Sequence, residues 1–362
     1  MGLEHIEPQT GRRIGDVPID LGSMTGRKAR FLPGDIVYGY LRPYLNKVWI
    51  AEFAGFCSVD QYVSIVDEAV ADRTYVASYL RRPAYLAAAP IDETPGQLPR
   101  IRIDEVLSTP IPLPPLEEQR RIAARLRDEL GAVADFGPSI DRWASTLATL
   151  RRSALTTIFE QLLGERRSVG KLADVIKLRN DIVHPTDRPT GTAEFVGLEH
   201  IEAGSGRRIG QVPIDLAAMT GRKATFSPGN IVYGYLRPYL NKVWLADIDG
   251  FCSVDQYVLE VDARRADSDF VALFMLSDAY LSRAPITTTP GQLPRIRSGE
   301  VLSVPAPIPS LADQRRIAAR LREQLAQIDR AKAALNAQRK AVDVLPAALL
   351  RDVFGPAKFL DR

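Results

Sequence analysis

Cysteine is nearly absent from the 362-residue chain. The two present, Cys57 and Cys252, stand at the same place in two copies of the string GFCSVDQYV. They are too few for a disulfide framework, so each is expected as a small buried side chain rather than as half of a bridge or a metal site. Histidine is equally scarce, three in all, which leaves too few ligands for a zinc cluster. No apolar run approaches the roughly 20 residues of a membrane span. The start MGLEHIEPQT has neither a basic nor an apolar signal region, and Ile6 occupies the position where a myristoylation signal wants Ser or Thr. A soluble, cytoplasmic protein is the expectation. Lysine is also rare, 9 against 38 arginines. Arginine suits bidentate contacts to phosphate and guanine, although an arginine- and alanine-rich codon bias explains the excess as well. A net charge of +3 and a pI near 8.8 permit nucleic-acid binding without requiring it. With 46% hydrophobic residues, a chain of this length can bury one or more full cores and suggests two domains or more.

What the chain has in abundance is itself. YGYLRPYLNKVW stands at 38–49 and again at 233–244, a shift of 195 positions. The same shift aligns GLEHIE (2–7 and 197–202), TGRKA (25–29 and 220–224), TPGQLPRIR (94–102 and 289–297) and QRRIAARLR (119–127 and 314–322). About two residues in three are identical from Gly2 to Arg127, without a gap. Solenoid repeats run roughly 20 to 50 residues, so this period marks a duplicated domain.

Each copy reads as a compact α+β globule, mostly curved antiparallel sheet. A Pro-Gly turn (Pro33-Gly34, Pro228-Gly229) leads into IVYGYL, a turn falls at Arg-Pro, and YLNKVW and DQYV follow as strands. The segment 71–89 has helical spacing, and Pro83 is expected to kink or split it. Proline clusters at 109–119 and 304–314 then stop the sheet and launch a helix. In the first helix Ile122, Leu126, Leu130, Val133, Phe136, Ile140, Trp143, Leu147, Leu150, Ala154 and Ile158 recur at spacings of three and four. In the second the stripe is Ile317, Leu321, Leu325, Ile328, Ala331, Leu335, Val342, Leu345, Leu349 and Val353. Each helix would run about 40 residues, or roughly 60 Å. Neither seam is stable exposed to water, so the helices are expected to pair antiparallel as a coiled coil with pseudo-two-fold symmetry. Gly137-Pro138 is expected to kink or break the first. The predicted domains are a first globule at 1–114, a helix at 115–164, a second globule at 165–309, a helix at 310–356 and a tail at 357–362.

Globule, long helix, globule, long helix, with LRPYLNKVW in the globule and PIPLPPLEEQRRIAARL entering the helix, resembles the specificity subunit of type I restriction-modification systems. The resemblance covers essentially the whole chain. It implies that the globules are target recognition domains reading the two halves of a split double-stranded DNA site. It also implies that the helices space them and dock two methyltransferase subunits, with restriction subunits joining the complex. S-adenosylmethionine and ATP then belong to the partners, and this chain carries no cofactor and no metal of its own. Because the two readers are nearly identical, the expected site is an interrupted palindrome.

The residues tolerate that reading. Arg12, Arg13, Arg27, Lys28, Arg42, Lys47, Arg100 and Arg102, with copies Arg207, Arg208, Arg222, Lys223, Arg237, Lys242, Arg295 and Arg297, put cations in and beside turns. Asn46, Gln61 and Gln97, with Asn241, Gln256 and Gln292, are amides able to pair with adenine, and Tyr40, Tyr44 and Tyr235 sit among them. A tyrosine-rich strand is more often core, and arginine is most often simply solvated. No Gly-rich nucleotide loop, Asn-Pro-Pro-aromatic methyltransferase motif or nuclease cluster is present, so catalysis is assigned to partner chains. The rival readings are a coiled-coil scaffold binding only proteins, which would need no basic loops, and a self-sufficient enzyme. The second globule carries about 30 residues (168–196) ahead of its GLEHIE, whereas the first begins at Met1-Gly2. Either the chain starts late or the first globule does without its opening segment.

Overall fold

The repeated strings IVYGYL are central strands because both of their faces are covered. In the computed structural model, which describes residues 1–18, 22, 26–89, 91–92, 98–165, 168–288 and 290–355, the chain divides into two units. Unit 1 takes Met1–Ala144 with Ala334–Arg362, and unit 2 takes Ser145–Ala333. The division falls inside both long helices, so each unit holds one globule and a part of each helix.

Unit 1 contains β1 (Lys28–Phe31), β2 (Ile36–Gly39), β3 (Val48–Ile50), β4 (Gly55–Ser58), β5 (Gln61–Ser64), α1 (Arg73–Leu80), α2 (Pro83–Ala88), α3 (Ile103–Leu107) and the start of α4 (Leu116–Gly164). Strand β2 pairs antiparallel with β3 on one side and β5 on the other, and β1 pairs with β4. Successive side chains of a strand alternate between faces. Ile36 and Tyr38 accordingly join Ala77, Leu80 and Tyr85 under α1 and α2, while Val37 joins Phe31, Trp49 and Cys57 on the other face. The helical segment splits at Pro83, which takes the first helical position of α2, where its missing N–H costs nothing. Helix α1 starts on the carboxylate of Asp72, which accepts from Tyr75 N at 2.9 Å.

Unit 2 continues with β6 (Val169–Lys171), β7 (Ile176–Arg179), β8 (Ile182–Val183), β9 (Thr192–Phe195), β10 (Val212–Asp215), β11 (Lys223–Phe226), β12 (Ile231–Gly234), β13 (Val243–Leu245), β14 (Gly250–Ser253), β15 (Gln256–Val261), α5 (Ser268–Met275), α6 (Asp278–Leu281), α7 (Ser298–Ser303), β16 (Pro305–Pro307) and α8 (Leu311–Phe354). Its sheets run β13-β12-β15-β7 and β10-β9-β14-β11-β8, with β16-β6 beside them. Every pairing is antiparallel except the single β14–β9 contact. One large core welds this sheet to α5, α6, α7 and both long helices.

The long helices pair through their stripes. In unit 1 Leu126 is fully buried with Ala123, Leu350, Val353 and Phe354. Arg125 meets Asp352 at 3.5 Å and Asp141 meets Arg339 at 2.8 Å. Partner numbers fall as α4 advances, so the pairing there is antiparallel. In unit 2 Leu321 and Leu325 enter the core with Leu155 and Phe159, and Arg151 meets Asp329 at 2.9 Å. Ile140 is buried, and Ile122, Leu130, Val133, Leu147, Ile317, Ile328, Leu335 and Val342 are partly so. Five members of the predicted stripes are exposed: Phe136, Trp143 and Leu150 at 57%, 62% and 51%, Leu345 at 39%, and Ala331. Nor is α4 interrupted at Pro138, which lies within the continuous helix. A proline forfeits one helical hydrogen bond, and here Arg339 donates to the Gly137 carbonyl beside it while pairing with Asp141.

The glutamine of each helix start is structural. Gln119 Oε1 accepts from Asp72 N at 3.0 Å, and its Nε2 donates to Val70 O and Pro114 O. Gln314 repeats all three contacts with Asp267 N, Arg265 O and Pro309 O. Both are buried. This explains why the two proline-rich helix starts share a glutamine.

Cys57 and Cys252 are buried free thiols, as their position in the repeat predicts. Among the described residues no helix is long and apolar enough to cross a membrane.

Candidate nucleic-acid interface

The β2–β3 connection of unit 1 and the β12–β13 connection of unit 2 carry the repeated LRPYLN, and both have the same geometry. Arg42 and Asn46 flank a tight 3-10 turn, Pro43–Leu45, in left-handed conformation with φ of 50° and 51°. Arg237 and Asn241 do so at 49° and 46°. The turn is tied to the second repeated loop by backbone bonds. Arg42 N donates to Pro99 O at 2.7 Å and Ile101 N to Tyr40 O at 3.2 Å. Arg237 N–Pro294 O and Ile296 N–Tyr235 O repeat these distances. The strings LRPY and LPRIR, more than 50 residues apart, therefore form one surface in each unit.

On that surface two tyrosines stack. Tyr40 and Tyr62 lie 4.5 Å apart at 21°, and Tyr235 and Tyr257 lie 4.5 Å apart at 22°. The hydroxyls of Tyr62 and Tyr257 donate to Ile101 O and Ile296 O, fixing the stack to the second loop. Burial pushes the Tyr235 phenol above its ordinary value, Asp255 adds to the rise, and the cations Arg295 and Arg222 oppose it. Arg222 and Arg295 thus lie within the electrostatic reach of the stack. Tyr44 and Tyr239 extend from the turn, 53% and 56% exposed.

The predicted site residues sort into two groups. Arg27, Lys28, Arg42, Arg102, Arg222, Arg237, Gln292 and Arg297 are exposed, while Tyr40, Arg100, Lys223, Tyr235 and Arg295 are partly buried. Among the described residues no ion pair engages Arg27, Arg42, Arg222, Arg237 or Arg297. Arg102 faces Asp92 at 3.9 Å, and Lys223 lies over the Phe195 ring. Arg12, Arg13, Arg207 and Arg208 are at the surface but share their charge with Glu7, Asp16 and Glu52, Glu202, and Asp247 respectively.

The other group is corrected by burial. Asn46 and Asn241 are 3% and 4% exposed, and Asn46 Nδ2 donates to Arg81 O. Gln61 and Gln256 are each 3% exposed and accept from Ser58 Oγ and Ser253 N. These four amides hold turns together and cannot reach adenine. Lys47 and Lys242 turn inward to donate to Leu3 O and Leu198 O. They clamp a tight turn against Gly39 and Gly234, where a Cβ would come within 2.5 Å of Leu3 or Leu198 Cδ2. Gln97 lies outside the described residues. Sequence reasoning found Tyr44 but missed Tyr62, Tyr257 and Tyr239. The strict repetition of DQYV and RPY marked them, but periodicity alone assigned the strand tyrosines to the core.

Among the described residues no cluster of His, Cys, Asp or Glu could hold a metal. What the surface offers is aromatic faces and guanidinium groups without an ion pair among the described residues, which suits phosphates and base edges rather than covalent chemistry.

No family model matches the chain. It is 25% identical over 289 residues to the type I restriction enzyme EcoDI specificity subunit of Escherichia coli, a match that takes in 71% of this chain. The chain spans 64% of the length of that curated relative, less than two thirds. Among solved structures, one described as the basis of complex assembly and conformational transition of the type I R-M system superimposes with a TM-score of 0.77. The match covers 98% of this chain and 90% of that one at 19% identity. The HsdS subunit from Thermoanaerobacter tengcongensis gives 0.58 over 98% and 89%, also at 19% identity. The resemblance carried by LRPYLNKVW and the proline-rich helix starts thus recurs in overall sequence and in fold, and what this chain resembles is a type I specificity subunit.

Proposed function

We propose that the chain is a non-catalytic DNA-recognition subunit of a type I restriction-modification complex. It reads a bipartite double-stranded site and docks methyltransferase and restriction subunits, on which S-adenosylmethionine and ATP act, in the cytoplasm. The observation that carries this reading is the surface built twice from LRPY and LPRIR, with a stacked tyrosine pair beside arginines that no ion pair engages among the described residues. The likeness to the EcoDI specificity subunit supports it. Exposed Phe136 and Trp143, one heptad apart on α4, support docking of a partner against the helix. The near-identical helix starts, LEEQRRIAARLR and LADQRRIAARLR, favour two methyltransferase subunits per chain.

Because the residues of the two surfaces are the same, the half-sites are the same word, read on opposite strands as an interrupted palindrome. The copies differ near the surface at Asp92 against Thr287 and Arg30 against Thr225, enough to alter one base pair, a change worth about 1 to 3 kcal/mol. Mapping the methylated motif in cells carrying this chain and its partners tests the reading. Two half-sites alike in all but at most one position are expected. Unrelated half-sites would make the repeated surface scaffold, and the absence of any motif would leave a protein-only scaffold.

A further inference from the structure

Helix α1 of unit 1 has a polar face where its counterpart in unit 2 has a mostly apolar one. Thr74, Ser78 and Arg81 follow one another at spacings of four and three, which puts them on one side of the helix and its C-cap. The shift of 195 puts Asp269, Leu273 and Leu276 in their places. In unit 2 that face is closed: Asp269 pairs with Arg322, and Leu273 and Leu276 are 2% and 8% exposed. In unit 1 Thr74, Ser78 and Arg81 line a cleft of about 830 Å³ together with Arg127 of α4. Small-molecule sites occupy roughly 300 to 1,000 Å³.

The donors of this face lack acceptors. Arg81 Nε donates to Val48 O at 3.0 Å, and Gly11, at φ of 67°, leaves room for the guanidinium, because a Cβ there would collide with Val48 O and Arg81 Nη2. Burial lowers the Arg81 guanidinium to about 10. Arg127 reaches only the Thr74 hydroxyl, at 3.4 Å, whereas its copy Arg322 has a carboxylate. Among the described residues no carboxylate pairs with Arg81 or Arg127, and the hydroxyl of Ser78, a residue 1% exposed, makes no hydrogen bond. The carboxylates of the cleft are engaged by other cations. Glu7 meets Arg12 at 3.2 Å and Glu52 meets Arg13 at 3.6 Å, while Asp141 and Asp343 share Arg339 at 2.8 and 3.2 Å. A cation taken out of water without a counter-charge is costly, and a site that keeps one is suited to receive an anion.

We propose that this cleft binds a small polyanion carrying phosphate groups, held by Arg81 and Arg127 with the hydroxyls of Thr74 and Ser78. Guanidinium forks match phosphate oxygens two at a time. Thr74 and Arg81 stand seven residues apart, about 10 Å along a helix, so two or three linked phosphates fit the array better than one. The size of the cleft favours a small molecule over an acidic protein segment. Unit 2 lacks the donors, so each chain has one such site. None of the lining residues belongs to LRPY or LPRIR, and the proposal does not require that the chain read DNA.

The test is a calorimetric titration of inorganic triphosphate into the full-length chain at fixed salt. One site per chain is expected, with inorganic phosphate bound more weakly. Thr74→Asp and Arg81→Leu import the residues of unit 2, and each should weaken binding about tenfold or more, as the loss of hydrogen bonds to a charged group does. Both should melt no lower than the parent, since unit 2 folds with those residues. Arg127→Gln, at an exposed position, should weaken binding as well without touching the core. Two sites per chain overturn the proposal, as does a site that duplex DNA competes away and Arg81→Leu leaves unchanged, because either result places the polyanion on the repeated turns. Absence of saturable binding also overturns it, and leaves the cleft to water or to an acidic segment of a partner.

Discussion

At the scale of single residues, Arg42 and Arg237 hold conformations that arginine seldom adopts. A non-glycine residue at φ near 50° crowds its Cβ against the backbone, which costs on the order of 1 kcal/mol. Glycine at the same place removes that crowding and, with it, the guanidinium. Arg237→Gly is therefore expected to raise stability by up to about 1 kcal/mol while reducing the salt slope of DNA binding by about one ion. Urea melts and a salt titration of binding read the two effects separately, and unchanged DNA affinity would remove Arg237 from the interface. The buried thiols give a second prediction. Burial pushes the Cys252 thiol up from 9.0 to about 12, and raises Cys57 as well. A group whose folded value lies above its unfolded one stabilises fully below the unfolded value. Its contribution is lost as pH rises from about 9, by at most about 1.4 kcal/mol per pH unit for each thiol. At pH 8 a thiol-disulfide reagent should find neither cysteine in the native chain and both after unfolding. Rapid native labelling of either would contradict their burial.

At the scale of elements, each long helix is fastened to its globule at its first turn. Gln314 satisfies one backbone N–H and two carbonyls. Gln314→Ala strands those groups in a buried site, at about 1 to 3 kcal/mol for each one left unpaired. A loss of at least about 2 kcal/mol in chemical denaturation is expected from that principle, and Gln314→Glu should not rescue it, because a carboxylate has no N–H to donate. Further along the helices the units differ. In unit 2 Arg151 binds Asp329 and the Ser205 carbonyl, and Lys332 reaches Glu202 at 3.3 Å, latching the helices to loop 202–205. The shift of 195 puts Pro346 and Gly137 in place of that arginine and lysine. Unit 1 has instead a cleft of about 830 Å³, lined by Glu7, Thr10, Gly137 and Pro346 among others.

At the scale of the whole molecule, two globules identical at about two residues in three over the repeat have become units of unequal closure. Stability is distributed by buried apolar contact and backbone pairing, so the less covered unit opens first. Amide hydrogens of Gln61–Ser64 are expected to exchange faster than those of the identical positions 256–258, by more than tenfold where an edge hydrogen bond is missing. Native-state exchange resolved by peptide measures this directly, and equal protection would mean that the β5 edge is covered. The half-site rule belongs to the same scale. It rests on identity of the reading surfaces, which unequal closure behind them leaves intact.

The sequence by itself determined what depends on neighbours in the chain. The repeat, the strands IVYG and QYV, the split at Pro83, the two long stripes and the burial of both cysteines were legible because periodicity, turn chemistry and proline act locally. The tertiary structure alone decided which polar residues face inward. Asn46, Gln61 and Lys47 have the composition of base and phosphate readers. Their partners Arg81, Ser58 and Leu3 are brought to them by folding, two of the three from tens of residues away. The same holds for Tyr62, which joins Tyr40 only when β5 pairs with β2, and for Phe136 and Trp143, which fit the helical spacing yet face water. Spacing says which residues share a face, but only packing says which face is covered.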